Sequence, residues 1–209
     1  MLVPLEAARA ETRAGNSRFL AILEPVERVE DARAFIALCR AQFPDASHHV
    51  PAFIVGGGKS VTEFCSDDGE PSGTAGRPLL AVLKGSGLGN IAVVVVRWFG
   101  GTLLGTGGLV KAYSEAGKAL LQQVRTAELV AGMRVSCRLP YHVYEKAKAA
   151  FINSGWDNLR EHFEEEVLVE ADVPQTSCAE LEHRLSDIGS GKLALHFIGP
   201  VTMRRPLSG

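Results

Sequence analysis

The sequence predicts an α+β protein with two domains, and three observations support this fold class. Helical and strand periodicities alternate along the whole chain of 209 residues. The run at residues 91–96 is apolar at every position, as in a central strand that is covered on both faces. From about Gly132 the pattern restarts as a strand, a helix, two strands, a helix and a strand. We therefore expect a boundary near Ala131, with a first domain at residues 1–131 and a second at 132–209.

Strand and helix signals alternate in the first half of the first domain. Residues 17–23 are typical of a strand, and apolar residues then repeat at helical spacing from Val29 to Phe43, where Pro44 ends the helix. Two more strands are predicted at residues 49–55 and 60–65. The three glycines between them, residues 56–58, favour a hairpin connection.

Two further helices are predicted in the second half of this domain. One follows Gly76, with Pro78 in its first turn, where the missing N–H costs no hydrogen bond. The other is expected to begin immediately after Gly107 and Gly108, because an apolar stripe with helical spacing starts at Leu109. The apolar strand at 91–96 lies between them.

The second domain is predicted to be a split βαβ unit in the order βαββαβ. Alternating residues indicate a first strand, Ser177 and Glu180 form the pattern of a capping box for its second helix, and an acidic tip joins the two middle strands. The elements expected are a strand through 135–139, a helix at 143–151, strands at 156–163 and 167–173, a helix from Cys178 to Ile188, and a strand through 193–197.

Composition excludes several classes of protein. The formal net charge is −2, and the two halves carry 13 basic with 13 acidic and 9 basic with 11 acidic residues, so neither is polybasic. The longest apolar run is far shorter than the about 20 residues that span a membrane, and no signal peptide is evident. Four separated cysteines form no CxxC pair, which argues against a zinc cluster. We expect a cytoplasmic protein with reduced thiols.

Glycine is concentrated in the middle of the chain, where eleven of the 22 glycines lie between Gly69 and Gly108. A glycine loop before a helix exposes backbone N–H groups at the positive end of the helix dipole, which favours phosphate or carboxylate. Three nearby cations can add charge to such a site. The candidate phosphate-binding residues are Arg77, Arg97, Gly100, Gly101, Gly105, Gly107, Gly108 and Lys111. The alternative is that the glycines only permit tight turns and close packing.

Carboxylates and histidines near this loop support two interpretations. Asp67, Asp68 and Glu70 can bind Mg²⁺ through oxygen, or they can pair with Arg77 or Arg97, which we favour. In a strand, neighbouring side chains point to opposite faces, so at most one of His48 and His49 is expected to be functional, and no nucleophile is placed beside them. No catalytic residue, metal ligand or other cofactor is predicted.

Aromatic residues beside the cations offer a second contact with nucleic acid. Trp98 and Phe99 follow Arg97 and can stack on the bases of a single strand, although such aromatics are more often part of a core. Trp156, Arg160 and His162 are expected to share one face of a strand in the second domain.

The motifs resemble those of the YigZ/Impact family of small cytoplasmic proteins linked to translational control. The resemblance rests on Ser17-Arg18-Phe19, Ala46-Ser47-His48-His49, DDGEPSGTAGRP at 67–78 and RWFGGTLLGTGGLVKAY at 97–113. It implies an N-terminal α/β sandwich similar to domain IV of elongation factor G and a ferredoxin-like C-terminal domain similar to its domain V. Family members usually have Cys after the paired His, whereas this chain has Val50, which excludes a catalytic thiol there.

The function expected from this resemblance is a binding or regulatory factor in translation that contacts RNA or a ribosome-associated partner. Binding of RNA phosphate through three cations predicts a steep salt dependence, with a slope of roughly two to three. Two alternatives remain open. One is a phosphate or nucleotide enzyme that uses the same loop with Mg²⁺, and the other is a protein-interaction module without a charged ligand. No feature of the sequence indicates an oligomeric state or a contact with membranes.

Overall fold

The computed structural model describes residues 1–57 and 60–207. The chain divides into one unit that comprises Met1–Glu128 with the segment from Pro206 onward, and a second unit that comprises Leu129–Arg205. Each unit combines helices with a sheet, so the predicted α+β class is confirmed. The boundary expected near Ala131 lies a few residues beyond Glu128. Within the described residues no helix is both long and apolar enough to cross a membrane.

The first unit is built on an antiparallel five-stranded sheet with the order β2-β3-β6-β4-β5. A short additional strand pairs with the start of β7. The elements are β1 (Leu2–Pro4), β2 (Ala8–Ala14), β3 (Ser17–Pro25), α1 (Val29–Gln42), β4 (His48–Gly57), β5 (Ser60–Cys65), α2 (Gly76–Ser86), β6 (Ile91–Trp98), α3 (Gly105–Leu121) and the beginning of β7 (Thr126–Leu139). The predicted hairpin of β4 and β5 is confirmed, while its third glycine, Gly58, lies outside the described residues.

The central strand of this sheet is β6, as its continuous apolar run predicts. Residues 91–96 are fully buried, with β3 on one side and β4 on the other. Ile91, Val93 and Val95 pack in the core with α2 and α3. The intervening Ala92, Val94 and Val96 pack on the opposite face, in the core with α1. Helices therefore cover both faces of the sheet.

Two features of the first unit differ from the predictions. The strands β1 and β2 were not expected, because β1 has three residues and β2 alternates alanine, a weak strand former, with charged side chains at the sheet edge. The third helix begins at Gly105, not after Gly108. Gly107 and Gly108 therefore lie inside its first turn, and the glycine loop is shorter than the sequence suggested.

The second unit has the predicted βαββαβ order, with α4 and α5 packed in one core with the inward residues of β7 and β9. The strand order β10-β7-β9-β8 is that of a ferredoxin-like sheet, which confirms the expectation for this unit. After β7 the elements are α4 (Tyr141–Asn153), β8 (Asp157–Phe163), β9 (Val167–Pro174), a 3-10 helix (Gln175–Ser177), α5 (Cys178–Ile188) and β10 (His196–Pro206).

Three details of this unit differ from expectation. Ser177 makes no side-chain cap bond to α5, because the 3-10 helix leads directly into it. Leu193 and Leu195 pack in the core before β10 begins. Trp156 precedes β8 and packs against the core, and an irregularity in register separates Asp157 from Arg160, so Trp156 does not share the exposed face of the strand.

Candidate anion-binding site at the start of α3

The first unit has a cleft of about 400 Å³ beside the N-terminus of α3. Its walls come from the start of β4, the acidic turn after β5, the segment after β6 and the first turn of α3. The volume lies within the range of pockets that hold small ligands, about 300–1,000 Å³. Of the predicted site residues, the cleft brings together His48, Glu70, Arg97 and Gly105.

A buried ion pair lies at this cleft. Arg97 Nη1 donates to Glu70 Oε1 at 2.6 Å, and the two residues are only 4% and 8% exposed. Arg97 Nη2 donates to Ser17 Oγ at 3.2 Å. Tyr113 on α3 donates its hydroxyl to the same Glu70 oxygen at 2.7 Å. Burial, together with this bond to Glu70, raises the pKa of the Tyr113 hydroxyl.

The burial of Arg97 corrects the expectation that its guanidinium is open to solvent. Side chains alternate along β6, so Arg97 follows Val93 and Val95 onto the sheet face that α3 covers. There it pairs with Glu70, which is the pairing role favoured for the acidic turn. The sequence showed a charged residue at the end of a buried strand but not which sheet face that residue joins.

One polar atom of this network has no partner. Among the buried side-chain nitrogen and oxygen atoms of residues 1–57 and 60–207, only Arg97 Nε lacks a hydrogen bond. Its guanidinium carbon lies 5.5 Å from the ring centroids of both Phe19 and Phe99. Phe19 is fully buried, whereas Phe99 is 45% exposed at the rim of the cleft. An unpartnered buried donor is costly, so this nitrogen is a candidate ligand contact.

The two adjacent histidines lie in different environments, as predicted from strand alternation. His48 lines the cleft, where its Nδ1 donates to the Asp68 carbonyl oxygen at 2.9 Å and its Nε2 lies 3.8 Å from Glu70 Oε1. His49 is buried, and its Nε2 donates to the Phe43 carbonyl oxygen at 2.9 Å. Only His48 therefore can contribute to the cleft.

The carboxylate of Asp67 acts as a cap for α2. It accepts backbone N–H bonds from Gly73 at 2.7 Å, Ala75 at 3.1 Å and Gly76 at 2.8 Å. Burial raises the pKa of this carboxyl, but the three bonds and the charge of Arg77 outweigh it and leave the pKa below its usual value. Asp67 thus satisfies backbone donors at the start of a helix that follows it by nine residues.

The Asp68 carboxylate also accepts hydrogen bonds within the protein. It accepts bonds from Arg40 Nη2 and from the His49 backbone N–H, both at 2.7 Å. With Asp67 and Glu70 likewise bonded, Mg²⁺ at this turn would have to displace existing donors. Within the described residues, no three His, Cys, Asp or Glu side chains are grouped so that they could hold a metal ion.

The first turn of α3 has no capping side chain. Its N-cap, Leu104, provides no side-chain cap, and the first turn has no acidic residue, so its N–H groups lack the usual acceptors. Gly105 and Thr106 line the cleft. This end of the helix is therefore suited to an anion.

Gly107 lies in this turn without a structural reason. Its φ is outside the left-handed region, and an added Cβ would meet no atom within 4 Å. Glycine inside a helix costs about 1 kcal/mol relative to alanine. By contrast, Gly101 and Gly105 have φ of +84° and +70°, and a Cβ at Gly100 would collide with the Asn16 backbone. These three glycines serve the turn, whereas Gly107 is exposed and does not line the cleft.

The remaining candidate residues lie elsewhere. Arg77 is exposed on α2 and lines a different groove, and Lys111 is exposed on α3 and lines neither the cleft nor that groove. The Trp98 ring is not available for stacking on a base, because the Arg18 guanidinium carbon lies 3.8 Å from its centroid and its Nε1 donates to Asp45 at 2.8 Å. Of the two predicted stacking residues, Phe99 is thus the available one.

Tyr113, Ser17 and Thr106 are site residues that the sequence did not predict. Tyr113 lies on the apolar stripe of α3 and was attributed to the core, and it is indeed fully buried. Its hydroxyl was the available signal, because a buried tyrosine needs a hydrogen-bond partner. Ser17 and Thr106 lie within the family motifs at residues 17–19 and 97–113, but no individual role was predicted for either residue.

Comparison with known proteins gives a consistent set of relatives. Residues 15–121 match the Impact N-terminal domain. The chain is similar to the IMPACT family member YigZ of Escherichia coli, with 37% identity over 195 residues, 93% of this chain and 96% of that protein. An IMPACT family member of Haemophilus influenzae is 34% identical over 94% of this chain and 96% of its own length.

A solved structure, described as a hypothetical protein, is 37% identical with a TM-score of 0.62. The match covers 94% of this chain and 96% of the chain in that structure.

Proposed function

Because the chain belongs to the Impact family, we propose that it is a cytoplasmic binding factor linked to translation that holds one RNA phosphate in the cleft at the start of α3. The translational link follows the resemblance of its motifs to that family. The choice of ligand rests on one observation: the uncapped first turn of α3 lines the same cleft as a buried arginine that has an unused donor.

The phosphate is bound by hydrogen bonds more than by net charge. Glu70 neutralises Arg97, so the pair brings no net charge to the cleft. The attraction comes from the N–H groups and the dipole of α3. Arg77 does not line the cleft and Lys111 does not either, which removes two of the three cations first considered. A slope of about 0.7 on a single strand corresponds to one phosphate neutralised by one cation, so this site should give a slope of at most about 0.7, well below the two to three expected from three cations.

Phe99 supplies the contact with the base. The ring is 45% exposed and lies 5.5 Å from the Arg97 guanidinium carbon. When the ring turns outward, it uncovers the guanidinium and offers a face on which a base can stack. Stacking on an aromatic side chain contributes about 1–3 kcal/mol per base and tolerates any sequence. The cleft volume of about 400 Å³ suits one nucleotide.

Fluorescence anisotropy with a labelled 12-nucleotide oligouridylate tests this proposal. We expect saturable binding, a salt slope of at most about 0.7, and a loss of at least 10-fold in affinity for Phe99→Ala. The control is Phe64→Ala, because Phe64 is similarly exposed, at 43%, but lies on β5 away from the cleft. Absence of RNA binding at low salt would reject the proposal. Tight binding of free UMP that requires Mg²⁺ would instead support the nucleotide-enzyme alternative.

A further inference from the structure

The first unit has a second, larger cavity that shares no lining residue with the cleft. It is an open groove of about 990 Å³ between α2 and α3. The two helices approach closely because Gly117 of α3 packs against Leu79 and Val82 of α2. Apolar side chains form much of the groove, among them Pro78, Val82, Val110 and Leu121. Val110 is 39% exposed, so an apolar surface is available to a partner.

The charges of this groove have one sign. Arg77 and Lys118 are its charged lining residues, and none of the lining residues is acidic. Within the described residues Arg77 makes no ion pair, although its charge contributes to the low pKa of Asp67. Lys118 lies 3.7 Å from Glu115, but both side chains are more than half exposed, so this pair is weak. A partner with carboxylates therefore complements the groove.

We infer that the groove between α2 and α3 is a docking site for an acidic amphipathic helix of another protein. A third helix laid between two packed helices buries its apolar residues at i, i+3, i+4 and i+7. Its carboxylates then meet Arg77 and Lys118 at the edges. Because α2 has 11 residues and is about 16 Å long, the contact spans about three turns of the partner. This inference is independent of the RNA proposal.

Gly85 provides a direct way to block the groove. It lies in α2, lines the groove, and has a φ outside the left-handed region. An added Cβ would meet no atom within 4 Å. A side chain here consequently projects into the groove without strain, and replacing glycine also favours the helix. Gly85→Phe places a bulky ring in the groove and obstructs a bound helix, and Gly85→Ala is the matched variant that leaves the groove open.

The probe is a phage-displayed set of 15-residue amphipathic helices with a random apolar stripe and a polar face of glutamate, lysine or glutamine. We expect enrichment of glutamate-faced helices on the full-length protein. The selected peptides, once synthesised, should bind the Gly85→Ala variant with the same affinity as the wild type. They should bind the Gly85→Phe variant at least 10-fold more weakly. Arg77→Glu with Lys118→Glu should switch the preference to lysine-faced helices.

Several outcomes would overturn the inference. These are no enrichment, preference for lysine or glutamine faces, or binding that Gly85→Phe does not weaken. Displacement of the peptide by the oligouridylate would make the groove a nucleic-acid surface. Concentration-dependent dimerisation in sedimentation velocity that Gly85→Phe abolishes would make the occupant a second copy of this chain.

Discussion

In the Thr106→Glu variant, RNA binding at the start of α3 and the stability of the fold are expected to change in opposite directions. The substitution therefore distinguishes an effect on binding from an effect on folding. Thr106 is exposed, lines the cleft and follows the first residue of α3. A glutamate there complements the helix dipole and should stabilise the fold by about 0.3–1 kcal/mol. The same charge repels a phosphate held at the N–H groups. At a separation of about 5 Å and an effective dielectric between 20 and 80, this repulsion is about 1–3 kcal/mol.

The expected result is a loss of RNA affinity of about 5- to 150-fold together with an unchanged or raised melting temperature. Anisotropy with the labelled oligouridylate measures the affinity, and thermal unfolding by circular dichroism measures the stability. Thr106→Gln is the matched control, because it has nearly the same shape without the charge and should lose less than about 3-fold. If Thr106→Glu binds RNA as the wild type does, the N-terminus of α3 does not hold the phosphate.

Four further predictions concern the first unit and one buried thiol of each unit. Gly107→Ala should raise the free energy of unfolding by up to about 1 kcal/mol, because alanine favours the helix and the added Cβ would meet no atom within 4 Å; a loss of stability in urea unfolding would contradict this open space. Tyr113→Phe removes a hydrogen bond to buried Glu70 and should cost about 1.5–3 kcal/mol in urea unfolding, whereas a neutral effect would contradict the network. Asp67→Ala should cost about 1–2 kcal/mol at pH 7; because the folded pKa of Asp67 is lowered, its contribution is present above about pH 4 and lost as the pH falls through the folded value, so the difference in stability from wild type should narrow in acid. Burial raises the pKa of Cys39 and Cys137 to about 11, so iodoacetamide at pH 8 should label them far more slowly than an unfolded control, and equal rates would contradict their burial.

The sequence predicted most of the fold because local pattern and tertiary environment agree there. The apolar run of β6 indicated a strand covered on both faces, and that strand is the centre of its sheet. The alternation in β7 and the helical stripes of α4 and α5 were sufficient for the ferredoxin-like unit. The strand β2 was missed because an edge strand of alanines and charges buries too little to leave a strong pattern.

The site was predicted less well because it depends on contacts between distant segments. The glycine loop correctly indicated a helix start, but glycines inside α3 look the same in sequence as glycines before it. Arg97, Glu70 and Tyr113 meet only after β6, the acidic turn and α3 pack together. Pairing of the acidic turn with Arg77 or Arg97 was favoured from charge alone, yet the capping role of Asp67 depends on the fold of the turn.

The most direct test of the central claim is an amide ¹⁵N NMR titration of the full chain with the oligouridylate. Phosphate bound at the start of α3 should shift the amide resonances of Thr106, Gly107 and Gly108 strongly, with the Arg97 Nε resonance following the same binding curve. The amides of α5, which lie in the other unit, should stay in place. RNA binding that shifts other residues and leaves the first turn of α3 unchanged would contradict the account.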